Sequence, residues 1–265
     1  MSVVDVAAPH VRVLGSRVAM VSLEETVFRI EEWIRRREGC RRVVVTGFHG
    51  LWEAHRDPQL RHILNSADLW IPDGIAPVLA ARCRRLGNVA RIPGAELMEA
   101  FFARADFLGY RSFFYGDTEE TLGLLKSALE AKYPGHQVAG TLSPPFGPVT
   151  AAEDDEHVRR INQSRPDVLW VGLGLPKQDR WIYEHRHQLD VPVAIGVGAA
   201  FRFLSGQVPR APRWVGNIGC EWAYRLAREP RKCWRRSLIQ GPQFLVHMLL
   251  DLAGLRVYEE GGEAE

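Results

Sequence analysis

No CxxC pair or zinc-ligand spacing joins the four cysteines Cys40, Cys83, Cys220 and Cys233. That excludes a disulfide framework and a structural zinc site, and makes a reduced, cytosolic protein the expectation. The nine histidines form no HExxH or comparable ligand pair, and no GxxxxGK[ST] phosphate loop occurs. Long apolar runs are missing too. The best candidate, residues 244–255, is interrupted by His247 and Asp251, and at about a dozen residues it falls short of the roughly 20 that a membrane span takes. The start of the chain lacks a basic region followed by a continuous apolar stretch, so no secretory signal is expected. Internal repeats are absent, and so is any familiar module for reading nucleic acid, which is therefore not an expected partner.

The net charge is only +2, but it is unevenly spread. Between Arg202 and Arg236 nine Lys and Arg stand against Glu221 and Glu229, so that stretch carries +7 and the remainder −5. Such asymmetry points to an anionic partner for the C-terminal part: phosphate, nucleic acid or a lipid surface. Trp214, Trp222 and Trp234 are interleaved with Arg225, Arg228, Arg231, Lys232, Arg235 and Arg236. Guanidinium pairs phosphate oxygens bidentately and tryptophan favours a membrane interface, so this segment is read as the contact with a diphosphate and an anionic membrane surface.

From about residue 43 short apolar runs alternate with segments of helical period. The runs cover residues 43–46, 68–71, 112–115, 168–171 and 193–195, with a weaker one over 137–142. They are rich in β-branched and aromatic residues and show no polar alternation, which suits strands covered on both faces. Helices are expected after Thr118, over 151–162 and over 177–187. The pattern predicts an α/β fold: a Rossmann-like, mostly parallel sheet with helices on both faces. Residues 1–209 are read as this catalytic core, 210–258 as a basic helical C-terminal appendage, and 259–265 as a disordered acidic tail. Within the appendage the spacing predicts helices over 212–228 and 231–250, separated by Pro230.

The expected strand ends repeat one pattern, an apolar run followed by glycine: Thr46-Gly47, Asp73-Gly74, Gly116-Asp117, Gly172-Leu173-Gly174 and Gly196-Val197-Gly198. Ligands of open α/β sheets lie outside these ends, where glycine lets backbone approach phosphate. Neither GxG run completes a dinucleotide fingerprint, because Lys177 and Phe201 stand at the third glycine position, so no NAD cofactor is expected. Asp73 has two readings: a carboxylate at a strand end that takes a proton from an attacking hydroxyl, or the N-cap of a helix starting at Ile75. The acidic run 153–156 is read as the exposed first turn of a helix rather than a metal site. His49 either touches substrate or serves its turn.

Several of these stretches together resemble the WecG/TagA/CpsF family of glycosyltransferases. They are Val45-Thr46 with its loop, residues 65–74 ending in Ile71-Pro72-Asp73-Gly74, Arg91-Ile92-Pro93-Gly94, Phe114-Tyr115-Gly116, Gly172-Leu173-Gly174-Leu175-Pro176-Lys177-Gln178, Gly196-Val197-Gly198 and Glu221-Trp222 onward. The resemblance implies an inverting, metal-independent transfer without cofactor, from a UDP-sugar to a polyprenyl-diphosphate-linked sugar in bacterial cell-surface polysaccharide synthesis. It implies Asp73 as base and Thr46 as the active-site hydroxyl. Arg91 and Gln178 fall in the pocket, as do His49, Gly74, Gly94, Gly116, Gly172, Gly174, Pro176, Lys177 and Gly198 of the matched turns. Arg225, Lys232 and Arg235 fall where appendage cations meet diphosphate. Location on the inner face of the membrane and self-association through the core are further implications. The chain departs from the family's Thr-Pro-Asn in the loop Gly47-Phe48-His49-Gly50, which leaves the donor sugar open between an N-acetylmannosamine type and another hexose. Two other classes stand beside this reading, an NAD-dependent nucleotide-sugar oxidoreductase or epimerase and a non-enzymatic membrane-surface adaptor.

Overall fold

A computed structural model describes residues 8–87, 90–212, 215–216 and 221–259, the side chains of Arg225 and Lys232 excepted. The chain opens with a hairpin that the sequence reading did not anticipate, β1 (His10–Val13) against antiparallel β2 (Ser16–Ala19). Its two turn residues, Leu14 at φ 51° and Gly15 at φ 82°, both take the left-handed conformation that a tight two-residue hairpin requires. A leucine at the first of these positions hides the turn from composition.

The elements that follow are α1 (Leu23–Arg36), β3 (Arg41–Thr46), α2 (Phe48–Arg56), α3 (Pro58–Asn65), β4 (Leu69–Pro72), α4 (Ile75–Cys83), α5 (Gly94–Leu108) and β5 (Arg111–Gly116). Next come α6 (Glu119–Lys132), β6 (Gln137–Leu142), α7 (Ala151–Gln163), β7 (Val168–Gly172), α8 (Lys177–His185), β8 (Val193–Gly196) and α9 (Ala200–Leu204). The main sheet has the order β4-β3-β8-β7-β5-β6, and the pairs β3–β8, β7–β8, β5–β7 and β5–β6 are parallel. Each apolar run singled out in the sequence falls on one of these strands, with Asp68 alone preceding β4.

The described residues fall into two compact units. One comprises Leu23–Val44 and Gly94–Pro209, and the other comprises Ala8–Ser22, Val45–Pro93 and the described part of Arg210–Glu265. The change of pattern read at residue 210 coincides with a boundary between units, but the C-terminal segment shares its unit with residues 45–93.

In the first unit alternate residues of β5 enter opposite cores. Phe113 and Tyr115 join Leu169, Val171, Val158, Ile161, Trp181 and Ile182, which places α7 and α8 on one face. Phe114 packs edge-on against Phe102 and Phe201, and Trp170 meets Phe101 and Phe102, which places α5 and α9 on the other. Helix α6 packs with α9. The chain therefore leaves neighbouring strands β5 and β7 toward opposite faces, the topology at whose carboxyl ends open α/β sheets place their ligands. A buried Ser112–His136 contact of 2.8 Å has a catalytic look, but Ser112 is the second residue of β5 and also accepts from Trp170 Nε1 at 3.1 Å. It belongs to the core at the amino ends of the strands.

In the second unit the last described elements are α10 (Glu221–Arg228), α11 (Pro230–Trp234), a π-helical turn over Arg235–Gln240 and α12 (Gly241–Leu252). Of the helix expected over 212–228, residues 215–216 and 221–228 are helical and the others lie outside the described residues except Pro212. The helix expected over 231–250 is present as one helical run through residues 230–252 with a π-helical turn inside it. Pro242 lacks the N–H that would continue the ordinary ladder, and Gly241 N–H instead donates to Arg236 O, five residues back. No helix among the described residues is long and apolar enough to cross a membrane.

Candidate active site

Two glycine turns of the second unit adjoin. Strand β3 ends at Thr46, which is buried, and β4 ends at Pro72 before Asp73. A Cβ on Gly47 would lie 3.2 Å from Gly74 N, and one on Gly74 would lie 3.3 Å from Gly47 Cα, so the two backbones touch. At Gly50 a Cβ would fall inside the Thr46 side chain, so the glycine there is what lets the hydroxyl sit under the first turn of α2. Gly47 and Gly74 are the N-caps of α2 and α4, and neither helix start has a side-chain cap. With Gly74 in that place, half-buried Asp73 sits one residue outside the helix, which answers the N-cap alternative. Two helix N-termini with backbone N–H groups free of side-chain caps thus flank the carboxylate's turn, a favourable setting for negative charge.

His49 is held neutral. Burial, and then the Arg236 charge, push it down to about 4, and its Nδ1 lies 3.9 Å from Glu53 Oε1, beyond hydrogen-bonding reach. Gln240 Nε2 donates to the same Glu53 oxygen at 3.3 Å. The Arg236 guanidinium lies 5.2 Å from the Phe48 ring, and Phe244 stacks obliquely on Phe48 at 5.9 Å. Arg236 thus faces α2, whereas Arg228, Arg231 and Arg235 are exposed. The side chains of Arg225 and Lys232 lie outside the described residues. The π turn shifts the helical register, which is why an unbroken 3.6-residue period could not sort these cations.

Arg91 is nearly buried, at 10% side-chain exposure, and pairs with Glu221, Nη1 to Oε2 at 3.2 Å. In the first unit the carboxyl ends of β5 and β7 adjoin. Gly116 and Gly172 pair in register, and a Cβ on Gly116 would lie 2.6 Å from the carbonyl carbon of Gly172. Gly174 is open at φ 79°, Pro176 and Lys177 are exposed, and Gly94 is buried in the first turn of α5.

Against this geometry stand the comparisons with known proteins. The sequence model of the glycosyl transferase WecG/TagA/CpsF family matches residues 11–257. The chain belongs to this family. Similar curated proteins are the N-acetylglucosaminyldiphosphoundecaprenol N-acetyl-beta-D-mannosaminyltransferases of Bacillus spizizenii, 33% identical over 71% of this chain and 70% of that one, and of Bacillus subtilis, 30% identical over 70% of each. The enzyme of that name from Staphylococcus aureus strain MW2 is 32% identical over 66% of this chain and 65% of its own. The protein is therefore a glycosyltransferase, and the oxidoreductase and adaptor readings are set aside.

For a WecG/TagA/CpsF member the structure shows what several matched residues do locally. Gln178, 2% exposed, accepts from Gly198 N–H at 3.0 Å, and its amide lies against the backbone of Gly196. It clamps the first turn of α8 to the glycine turn after β8. Its neighbour Asp179 escaped the sequence reading. It is 3% exposed, receives a hydrogen bond from the Gln178 side chain and is attracted by Arg42, yet Oδ2 has no hydrogen-bond partner among the described residues. Asp117 stands out in the sequence only as part of a strand-end turn, and its partner is not foreseen there. It sits just past β5 and takes Arg202, one of the cations counted in the basic stretch, at 2.8 and 3.0 Å. Within the acidic run, Asp154 accepts from Trp181 Nε1 at 2.7 Å and lies 3.3 Å from His185 Nε2, while Glu153 closes a capping box with Thr150.

Burial pushes the Asp179 carboxyl up to about 7, against the opposing pull of Arg42 and the hydrogen bonds it accepts. Its unfolded value is about 3.9, so the fold prefers the neutral acid. That contribution to stability is complete below about pH 4 and is lost as pH rises through 7. Asp179→Asn removes the loss. Its melting temperature should gain on the wild type by a few degrees between pH 5 and pH 8, and parallel melting curves at the two pH values would contradict this.

Proposed function

We propose that the chain transfers a hexose or N-acetylhexosamine from a UDP-sugar to a sugar carried on a polyprenyl diphosphate, with inversion and without a metal. The observation that carries this reading is Asp73, a half-buried carboxylate outside an uncapped helix start and beside the glycine turn that follows Thr46. The acceptor named for the Bacillus and Staphylococcus relatives supports the lipid diphosphate, and their N-acetylmannosaminyl product supports an N-acetylhexosamine.

In this mechanism ionised Asp73 takes the proton of the acceptor hydroxyl as that oxygen bonds to the anomeric carbon, opposite the leaving group. The bond from that carbon to the diphosphate oxygen breaks, and UDP departs. Charge then grows on the diphosphate. Fixed donors meet it best, and the backbone N–H groups at the starts of α2 and α4, whose N-cap glycines supply no side-chain cap, are such donors. Thr46 orients the reacting hydroxyl.

The C-terminal segment is the acceptor and membrane part of the reading. Phe244 and Met248 of α12 are buried, whereas Leu245, Val246 and Leu249 are exposed, as are Leu238 and Ile239 of the π turn and Trp222 and Trp234. With exposed Arg228, Arg231 and Arg235 this gives an apolar and cationic surface suited to an anionic bilayer, and so to a peripheral enzyme on the inner face.

One assay tests the reading: UDP-sugars are screened against a polyprenyl-diphosphate-GlcNAc acceptor, scored by UDP release and product mass, with EDTA present. Transfer from at least one donor is expected, unchanged by the chelator. Release of UDP without a glycosylated lipid, or no reaction with any donor, would sink it. Run in phosphatidylglycerol vesicles, the combined change of Leu245, Val246 and Leu249 to Ser should weaken vesicle binding at least tenfold, given roughly 1.5–3 kcal/mol for burying each such side chain.

A further inference from the structure

Ile92 N–H donates to Pro72 O at 2.7 Å, so the segment carrying Arg91 is bonded to the residue just before Asp73. The Arg91 guanidinium lies against the C-terminal segment. A Cβ on Gly216 would lie 2.6 Å from Arg91 Cζ, so the guanidinium packs directly on that backbone. Arg91 Nε is buried and has no hydrogen-bond partner among the described residues, which leaves the 3.2 Å pair with Glu221 as the contact that neutralises it there. Glu221 is one-third exposed and opens α10, where a negative charge also suits the helix start. It is one of two acids in a stretch that otherwise carries nine cations.

A nearly buried guanidinium is costly without its counter-ion, so this pair holds the two segments in one register more firmly than a surface ion pair would. We propose that Glu221 is a positioning residue: by holding Arg91 it sets the C-terminal helices, with their cations, in register on the turn that carries Asp73. The chain of contacts runs from Glu221 to Arg91, then through the Ile92–Pro72 hydrogen bond to Asp73. The kinetic consequence rests on the transferase reading above, whereas the registration does not.

The test uses full-length Glu221→Gln, Glu221→Asp, Arg91→Lys and the double variant Arg91→Lys/Glu221→Gln. Hydrogen–deuterium exchange over residues 221–240 should quicken about tenfold in Glu221→Gln, with exchange in β5, β7 and β8 unchanged. In the transfer assay Glu221→Gln should raise KM for the lipid acceptor about tenfold with donor KM unchanged, and Glu221→Asp should restore most of the loss. The double variant should be no worse than Arg91→Lys alone, as coupling through one contact demands. Wild-type exchange rates in Glu221→Gln would overturn the registration even if no donor supported turnover, and multiplicative losses in the double variant would overturn the coupling. If the wild type transfers no sugar, the functional reading falls while the exchange measurement still decides this one.

Discussion

Asp73→Asn is expected to yield a folded protein whose transfer rate falls by about a hundred- to ten-thousand-fold, the usual contribution of a general base. The amide matches the carboxylate in size and leaves no cavity. Gly74, not Asp73, caps α4, so the helix start should survive the change. The loss should therefore fall on kcat with little effect on donor KM or melting temperature, because the proton transfer is made only in the transition state. Single-turnover transfer by purified Asp73→Asn, beside its melting curve, checks both halves. Turnover within a few-fold of wild type would remove Asp73 from the role of base.

Gly116→Ala should lose about 3 kcal/mol or more of stability, from the combination of an unfavourable backbone and overpacking. Gly116 stands at φ 119°, and its added Cβ would lie 2.6 Å from the Gly172 carbonyl carbon and 2.8 Å from its oxygen. Backbone paired in a sheet cannot rotate away as a side-chain tip can. Gly123→Ala is the informative control: it lies inside α6 with open space about it, and should stabilise by up to about 1 kcal/mol. Urea midpoints of the two variants should move in opposite directions. Movement of both in the same direction would contradict the close approach of the two strand ends.

The legible parts of this protein are those in which neighbours along the chain decide the outcome. Val168-Leu169-Trp170-Val171 has nowhere to go but a buried strand, and the glycines after such runs mark where the backbone must turn and stay bare. Asp73-Gly74 could be singled out because both residues lie in one turn. The hairpin at Leu14-Gly15 was missed because its first turn residue is not of a turn-forming type, although the structure gives it φ 51°. The second basic helix was legible in extent but not in facing, because the π turn over Arg235–Gln240 shifts its period from within.

What the sequence alone determined was the alternating α/β order, the strand-end glycines and the family they spell, since periodicity and motif are written in adjacent positions. Only the tertiary structure decided which charges are spent inside the protein. It paired Arg202 with Asp117 across 85 positions and Arg91 with Glu221 across 130, and it buried Asp179 beside Arg42. Such pairings depend on how distant segments pack, and burial, which sets the strength of each charge, is a property of the packed chain and not of any stretch of it.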